Sequence, residues 1–117
     1  PRESIIREIS EEADIDISQA NIQNKGIVTW TNFRGSKKIG MHAFIVKLDS
    51  NFKTWTVAKN TKEGILSWLD IKKILSNETQ EIALNVPYFL KPMLTTKTRK
   101  EYYFQFNNDE DFTMEII

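Results

Sequence analysis

The opening stretch of the chain, Arg7-Glu8-Ile9-Ser10-Glu11-Glu12-Ala13-Asp14-Ile15, carries its strongest pattern. Wound as an α-helix, it puts Ile5, Ile6, Ile9 and Ala13 on one arc, because residues three and four apart share a face. Glu8, Glu11 and Glu12 fall on the neighbouring arc. Three carboxylates on one patch repel one another, and they stand toward the helix C-terminus, where the macrodipole is already negative. Such a patch is relieved by full solvation or by a cation. Clustered carboxylate oxygens suit a hard ion such as Mg²⁺.

The same run resembles the second half of the Nudix box, G-x5-E-x7-R-E-U-x-E-E-x-G-U, in which U is a bulky aliphatic residue. Arg7, Glu8, Ile9, Glu11, Glu12 and Ile15 fall on its fixed positions. Pro1 stands where the family often opens its catalytic helix with proline, whose preset φ suits a first helical position. Asp14 replaces the usual glycine. That glycine ends the helix in a left-handed conformation, which Asp adopts less readily but does visit. The alternative is a solvated Glu-rich face with no ligand.

The box's glycine and first glutamate would lie before Pro1, as would the strands that precede the box in this family. The chain also lacks an initiator Met. Residues 1–117 are therefore expected to be the C-terminal part of a single Nudix domain, starting at the catalytic helix. A preceding N-terminal segment is then expected to complete the sheet. Length alone allows one domain at most. A hydrophobic share of 40% is enough for a real core. Lys+Arg and Asp+Glu are 16 each, so the net charge is zero, which argues against a dedicated nucleic-acid or membrane-surface protein. The absence of cysteine removes disulfides and Cys-ligated zinc, and fits a cytoplasmic protein. No apolar run approaches transmembrane length.

Along the chain, a helix is expected from Pro1 to Ala13, then a polar connection to Lys25 with a short strand around Ile22. Gly26 to Asn32 is rich in β-branched and aromatic residues and reads as a strand. Arg34 to Lys38 reads as a hairpin loop. Met41 to Leu48 is apolar on both faces and is expected to be a central strand, with His42 packed inside it. Phe52 to Val57 is ambiguous. Gly64 to Leu69 reads as a strand, and Asp70 as an N-cap for a short helix from Ile71 to Leu75. Pro87 opens a second helix, Tyr88 to Leu94, which Pro92 should shorten or kink. Glu101 to Asn107 and Phe112 to Ile117 alternate around a polar turn and read as a terminal hairpin. Trp30, Trp55 and Trp68 are expected in the core. This order gives an α+β fold with a mixed sheet between helices. It is also the order expected after the box in a Nudix domain. Lys62 to Asp70 resembles a later family segment, in which an acidic residue precedes a strand containing Trp.

The resemblance implies water attack on a phosphorus of a pyrophosphate joined to a nucleoside. Glu8, Glu11 and Glu12 would then hold Mg²⁺, or Mn²⁺ in its place, with Glu12 as a direct ligand. Glu63 would add a carboxylate as metal ligand or base. The base lies among Glu8, Glu11, Glu12 and Glu63, and sequence does not choose between them. Arg7 would pair with the box's first glutamate and orient the helix. Phe33 is placed at the pocket rim. Asn85, just before Pro87, lies in the segment that contacts the base in the branch that clears oxidised purine nucleotides. An amide can pair with both a donor and an acceptor on a base edge. That branch's animal enzymes carry acidic residues here, which puts oxidised-guanine specificity in doubt; a helix cap is the other reading of Asn85. The expected activity is a MutT-like, Mg²⁺-dependent cleavage of nucleoside triphosphates, such as 8-oxo-dGTP, to monophosphate and pyrophosphate. The alternatives are an ADP-ribose or nucleotide-sugar pyrophosphatase, and third, a Nudix module that binds nucleotide without cleaving it.

Overall fold

The computed structural model describes residues 2–32, 35, 37–49, 59–61, 64–76 and 83–117. The elements run α1 (Arg2–Ala13), β1 (Asn21–Thr31), β2 (Lys38–Lys47), β3 (Lys59–Thr61), β4 (Gly64–Leu66), α2 (Ile71–Leu75), α3 (Val86–Thr95), β5 (Lys100–Phe106) and β6 (Phe112–Ile116). They gather into two compact units, Pro1–Gln23 with Val46–Asp70, and Asn24–Ile45 with Ile71–Ile117. The fold is α+β with a four-stranded mixed sheet.

In the first unit, α1 divides as its sequence requires. Ile5, Ile6, Ile9 and Ala13 are half-buried, and its other described residues are exposed. The helix stops because Asp14 turns left-handed, at φ 56°. The Asp14 N–H still donates to the Ser10 carbonyl at 3.2 Å, so one terminal carbonyl is satisfied as the chain leaves. The Arg2 guanidinium donates to the Ser18 carbonyl at 3.1 Å, tying the first turn to the segment that follows the helix. In that segment Ile15 and Ile17 are buried. The Ser18 N–H donates to the Asp16 carboxylate at 2.9 Å and holds its pKa below the ordinary carboxylate value. The unit's strands are short: β3 and β4 pair antiparallel over three residues each. The strand expected from Gly64 to Leu69 therefore ends at Leu66, where its described partner runs out. Trp68, expected in the core, is exposed. Phe52 to Val57, and Trp55 with them, lie outside the described residues.

In the second unit, the sheet order is β2-β1-β5-β6. Strand β1 pairs with β5 in parallel, with Val28 opposite Tyr102 and Trp30 opposite Phe104. Strands β5 and β6 form the expected terminal hairpin, antiparallel, with Phe106 opposite Phe112. The short strand expected near Ile22 is the start of β1, one strand of 11 residues. It runs through Gly26 at φ 107°. A Cβ there would lie 1.9 Å from the Lys100 carbonyl oxygen, so both backbone angle and space demand glycine.

The alternation of these strands sorts the sheet into two faces. One face carries the core: Val28, Tyr102 and Phe104 are fully buried, with Met93 of α3 against them. Phe89, Phe106, Phe112 and Trp30 pack around this cluster. The rings meet at steep angles, Phe104–Phe112 at 5.4 Å and 66° and Phe89–Phe104 at 6.1 Å and 74°, as aromatic quadrupoles prefer. The Tyr102 hydroxyl is buried with no hydrogen-bond partner among the described residues, and burial pushes its pKa up. The opposite face is polar. The Thr29 hydroxyl donates to Glu101 at 2.7 Å, Lys38 pairs with the same carboxylate, and the Tyr103 hydroxyl reaches Thr31 and Gln105, each at 2.9 Å.

Helix α3 lies on the core face and is longer than Tyr88 to Leu94, because Val86 and Pro87 begin it and Thr95 ends it. Pro92 removes one backbone donor inside it but does not stop it. Its C-terminus is capped from the sheet: the buried Lys25 ammonium donates to the Thr96 carbonyl at 2.7 Å, where the helix dipole favours a cation. Helix α2 lies beside α3. Strand β2, expected at the centre, is an edge strand of the described sheet, with Ile39, Met41 and His42 exposed. The inner position beside β1 is taken by β5, which arrives from some seventy residues along the chain. The expectation of a packed His42 fails for the same reason.

Candidate functional site

Two features carry the candidate chemistry, one in each unit. The first is the acidic arc of α1. Glu8, Glu11 and Glu12 are all exposed, and none has an ion-pair partner among the described residues. The apolar arc beside them is half-buried, so packing of Ile5, Ile6, Ile9 and Ala13 fixes which way the carboxylates project. Arg7 is exposed and likewise without an ion pair among the described residues. Glu63 and Phe33 lie outside the described residues.

Ionised oxygen donors on one helix face fit Mg²⁺ in kind. They do not form a ready cage: among the described residues no group of three or more His, Cys, Asp or Glu side chains is placed to hold a metal ion. Mg²⁺ ordinarily keeps several waters and takes only one or two protein carboxylates plus substrate phosphates, so an open arc of acids is compatible with it.

The second feature is a cavity of about 310 Å³ in the other unit. Its floor comes from the core face of the sheet: Val28 and Trp30 of β1, Met41 of β2 and Phe106 at the end of β5. Its other wall is the start of α3, with Ala83, Asn85, Val86 and Phe89. Asn32, where β1 ends, completes the described lining. The cavity exists because β1 and β5 carry their aromatic residues on the face that α3 covers, and α3 starts only at Val86.

Asn85 is half-buried and occupies the N-cap position of α3, yet its side chain makes no capping hydrogen bond. Its backbone does the turn's work, accepting from the Tyr88 N–H at 3.1 Å. Asn85 is thus a lining residue of the cavity whose side chain does not cap the helix.

No protein-family model matches the chain, and none of the curated proteins does.

The cavity therefore has to be read from its own chemistry. Aromatic and aliphatic walls with a few placed polar groups suit a flat, largely apolar ring system carrying edge donors and acceptors. Sequence reasoning singled out Asn85 and missed Asn32, Met41, Phe89 and Phe106. Trp30 and Phe106 were marked only by alternation along their strands. Asn32 was marked only as the polar residue that ends an apolar strand. Among the described residues no helix is long and apolar enough to cross a membrane.

Proposed function

We propose that this chain is a MutT-like Nudix hydrolase, which cleaves nucleoside triphosphates to nucleoside monophosphate and pyrophosphate. The observation that carries the reading is α1. Three carboxylates with no ion pair among the described residues stand beside an apolar arc, and the helix ends left-handed at Asp14, the position where the box has its glycine. The second unit, taken by itself, offers an aromatic-walled cavity that would suit a flat ring.

In this proposal Glu8, Glu11 and Glu12 hold Mg²⁺, which when bound supplies charge neutralisation for the phosphates and orientation for the attacking water. All three carboxylates are exposed to solvent, where a hydrated cation could meet them. Glu63 adds a carboxylate as ligand or base, and Arg7 orients the helix.

The test is Glu12→Gln in the complete protein, which keeps size and removes charge. Pyrophosphate release from a panel of canonical and oxidised nucleoside triphosphates, with ADP-ribose alongside, should depend on Mg²⁺. It should fall about a hundredfold or more in the variant, the scale for losing one electrostatic stabiliser of the transition state. Circular dichroism should be unchanged, because Glu12 is exposed and lies off the apolar arc. Metal-dependent release that ignores the substitution disproves the site. ADP-ribose as the only good substrate moves the activity to the nucleotide-sugar branch. Tight nucleotide binding without turnover makes the protein a binding module.

A further inference from the structure

The zero net charge of the chain hides a segregation of charge within the second unit. Residues 91–100 hold Lys91, Lys97, Arg99 and Lys100 and no acid. All four are exposed, and none makes an ion pair among the described residues. Their backbone is held firmly. The Thr96 N–H donates to the Pro92 carbonyl at 2.9 Å, the Thr96 carbonyl accepts from the Lys25 ammonium at 2.7 Å, and the Thr96 and Thr98 hydroxyls stand 3.4 Å apart. Lys25 thereby meets the negative end of the α3 dipole, so the four exposed cations are not needed as its cap. The described acids of this unit stand elsewhere. Glu101 is taken by Lys38 and Thr29, and Glu115 stands opposite Tyr103 in mid-strand. Asp109, Glu110 and Asp111 lie in the β5–β6 turn, at the far end of β5. An extended strand of that length puts them about 20 Å away. That exceeds the Debye length of about 8 Å at physiological salt, so the basic end keeps its field.

We propose that this basic end, Lys97, Arg99 and Lys100 with Lys91 one turn back on α3, is a docking surface for the phosphate backbone of a nucleic-acid strand. Its donors are those that phosphates accept from: ammonium and guanidinium groups, with the exposed Thr98 between them. Lys97 and Arg99 are two residues apart, so the chain keeps their Cα atoms within about 7 Å of each other. Cations spread along such a rim engage several phosphates at once and release counterions from each. Residues 91–100 contain no aromatic ring on which a base could stack, so contact is with the backbone and carries no sequence preference. A carboxylate partner fits less well. The acidic turn of a second copy would meet the basic end head to tail, a contact that runs on into open arrays unless it closes a ring. None of these residues belongs to the acidic arc of α1 or lines the cavity, whose α3 wall starts at the other end of that helix, about 15 Å away. The surface therefore stands whether or not the chain is a hydrolase.

The experiment titrates a labelled, mixed-sequence single-stranded DNA oligonucleotide with the full chain, without divalent metal, and follows fluorescence anisotropy over a series of salt concentrations. Binding should be weak, with Kd about 10–100 μM near physiological salt, the range of sequence-independent binding. Log Kd should rise linearly with log salt, with a slope of about 2–3 for phosphate contacts by three or four cations. The triple substitution Lys97→Gln, Arg99→Gln and Lys100→Gln should lower that slope by about 2 and weaken binding about tenfold or more at low salt. All three residues are exposed, so circular dichroism should be unchanged. Lys47→Gln, which removes an exposed cation from the other unit, should alter neither slope nor affinity. No binding at low salt overturns the proposal, as does binding that ignores the triple substitution or falls equally with Lys47→Gln. Inorganic triphosphate held by the same residues as tightly as the oligonucleotide also overturns it, because the site then takes one compact phosphate group and not a strand. A concentration-dependent mass that the triple substitution abolishes, with no oligonucleotide bound, assigns the surface to self-association and overturns it as well.

Discussion

Asp14 is the only residue other than glycine, among those described, with a positive φ, 56°. An L-residue there pays a steric cost that glycine does not, roughly 1–2 kcal/mol, which Asp reduces through its short polar side chain. Glycine in turn loses more chain entropy on folding, by roughly 0.5–1 kcal/mol. Asp14→Gly should therefore stabilise the protein modestly, by about 0.5–1 kcal/mol, read as a higher urea midpoint at unchanged slope. A lower midpoint would mean that the Asp14 side chain contributes more than its backbone costs. This left-handed ending was implied by the resemblance to the Nudix box, in which Asp14 falls at the glycine position. Single side chains elsewhere were less legible. Trp68 and His42 looked like core residues by type, and both are exposed, since residue type does not say which strand covers a position. Asn85 was ambiguous between cap and ligand contact; it stands at the N-cap position, and its side chain makes no capping hydrogen bond.

The elements were read with more success than their partners. Period-two alternation marked β5 and β6, and helical spacing marked α1, because each pattern is written within a few residues. The parallel pairing of β1 with β5 is not local, and nothing in either segment names the other. Its consequence on the polar face is a clasp across three strands: Lys38 of β2 and Thr29 of β1 meet on Glu101 of β5. The Lys38 ammonium first, and the Thr29 hydroxyl second, hold the Glu101 pKa below its ordinary 4.5. Since the folded pKa is the lower one, this contribution to stability is fully present above the unfolded value and fades as pH falls through the folded value. Glu101→Gln should accordingly lower the urea midpoint at pH 7, and its difference from wild type should shrink as pH drops through and below the ordinary carboxylate range. A difference that stays constant from neutral to strongly acidic pH would show that the clasp acts by packing and not by charge.

At the scale of the whole molecule, the described sheet is open. Its edges are β2 and β6, and both display large aliphatic side chains: Ile39 and Met41 on one, Ile116 on the other, with Ile117 just beyond it. The apolar pattern of β2 suggested a strand flanked on both sides, and among the described residues it has one neighbour. That conflict between pattern and place has a physical consequence. An edge strand exposes unpaired backbone donors and acceptors, and aliphatic side chains beside them make it a template for another strand. Edges of this kind are usually blunted by charge. Lys38 and Lys47 bracket β2 but leave Ile39 to Met41 without any, and β6 has only Glu115 near its end. The 117-residue chain should therefore associate, seen as a concentration-dependent mass by light scattering after size exclusion. A lysine at the edge should suppress this, and the two edges can be told apart. Ile39→Lys abolishes association through β2, and Ile116→Lys abolishes association through β6. Neither residue lines the cavity, so both substitutions leave its described walls intact. A single mass across the whole concentration range for the unsubstituted chain would rule out both edges as association surfaces.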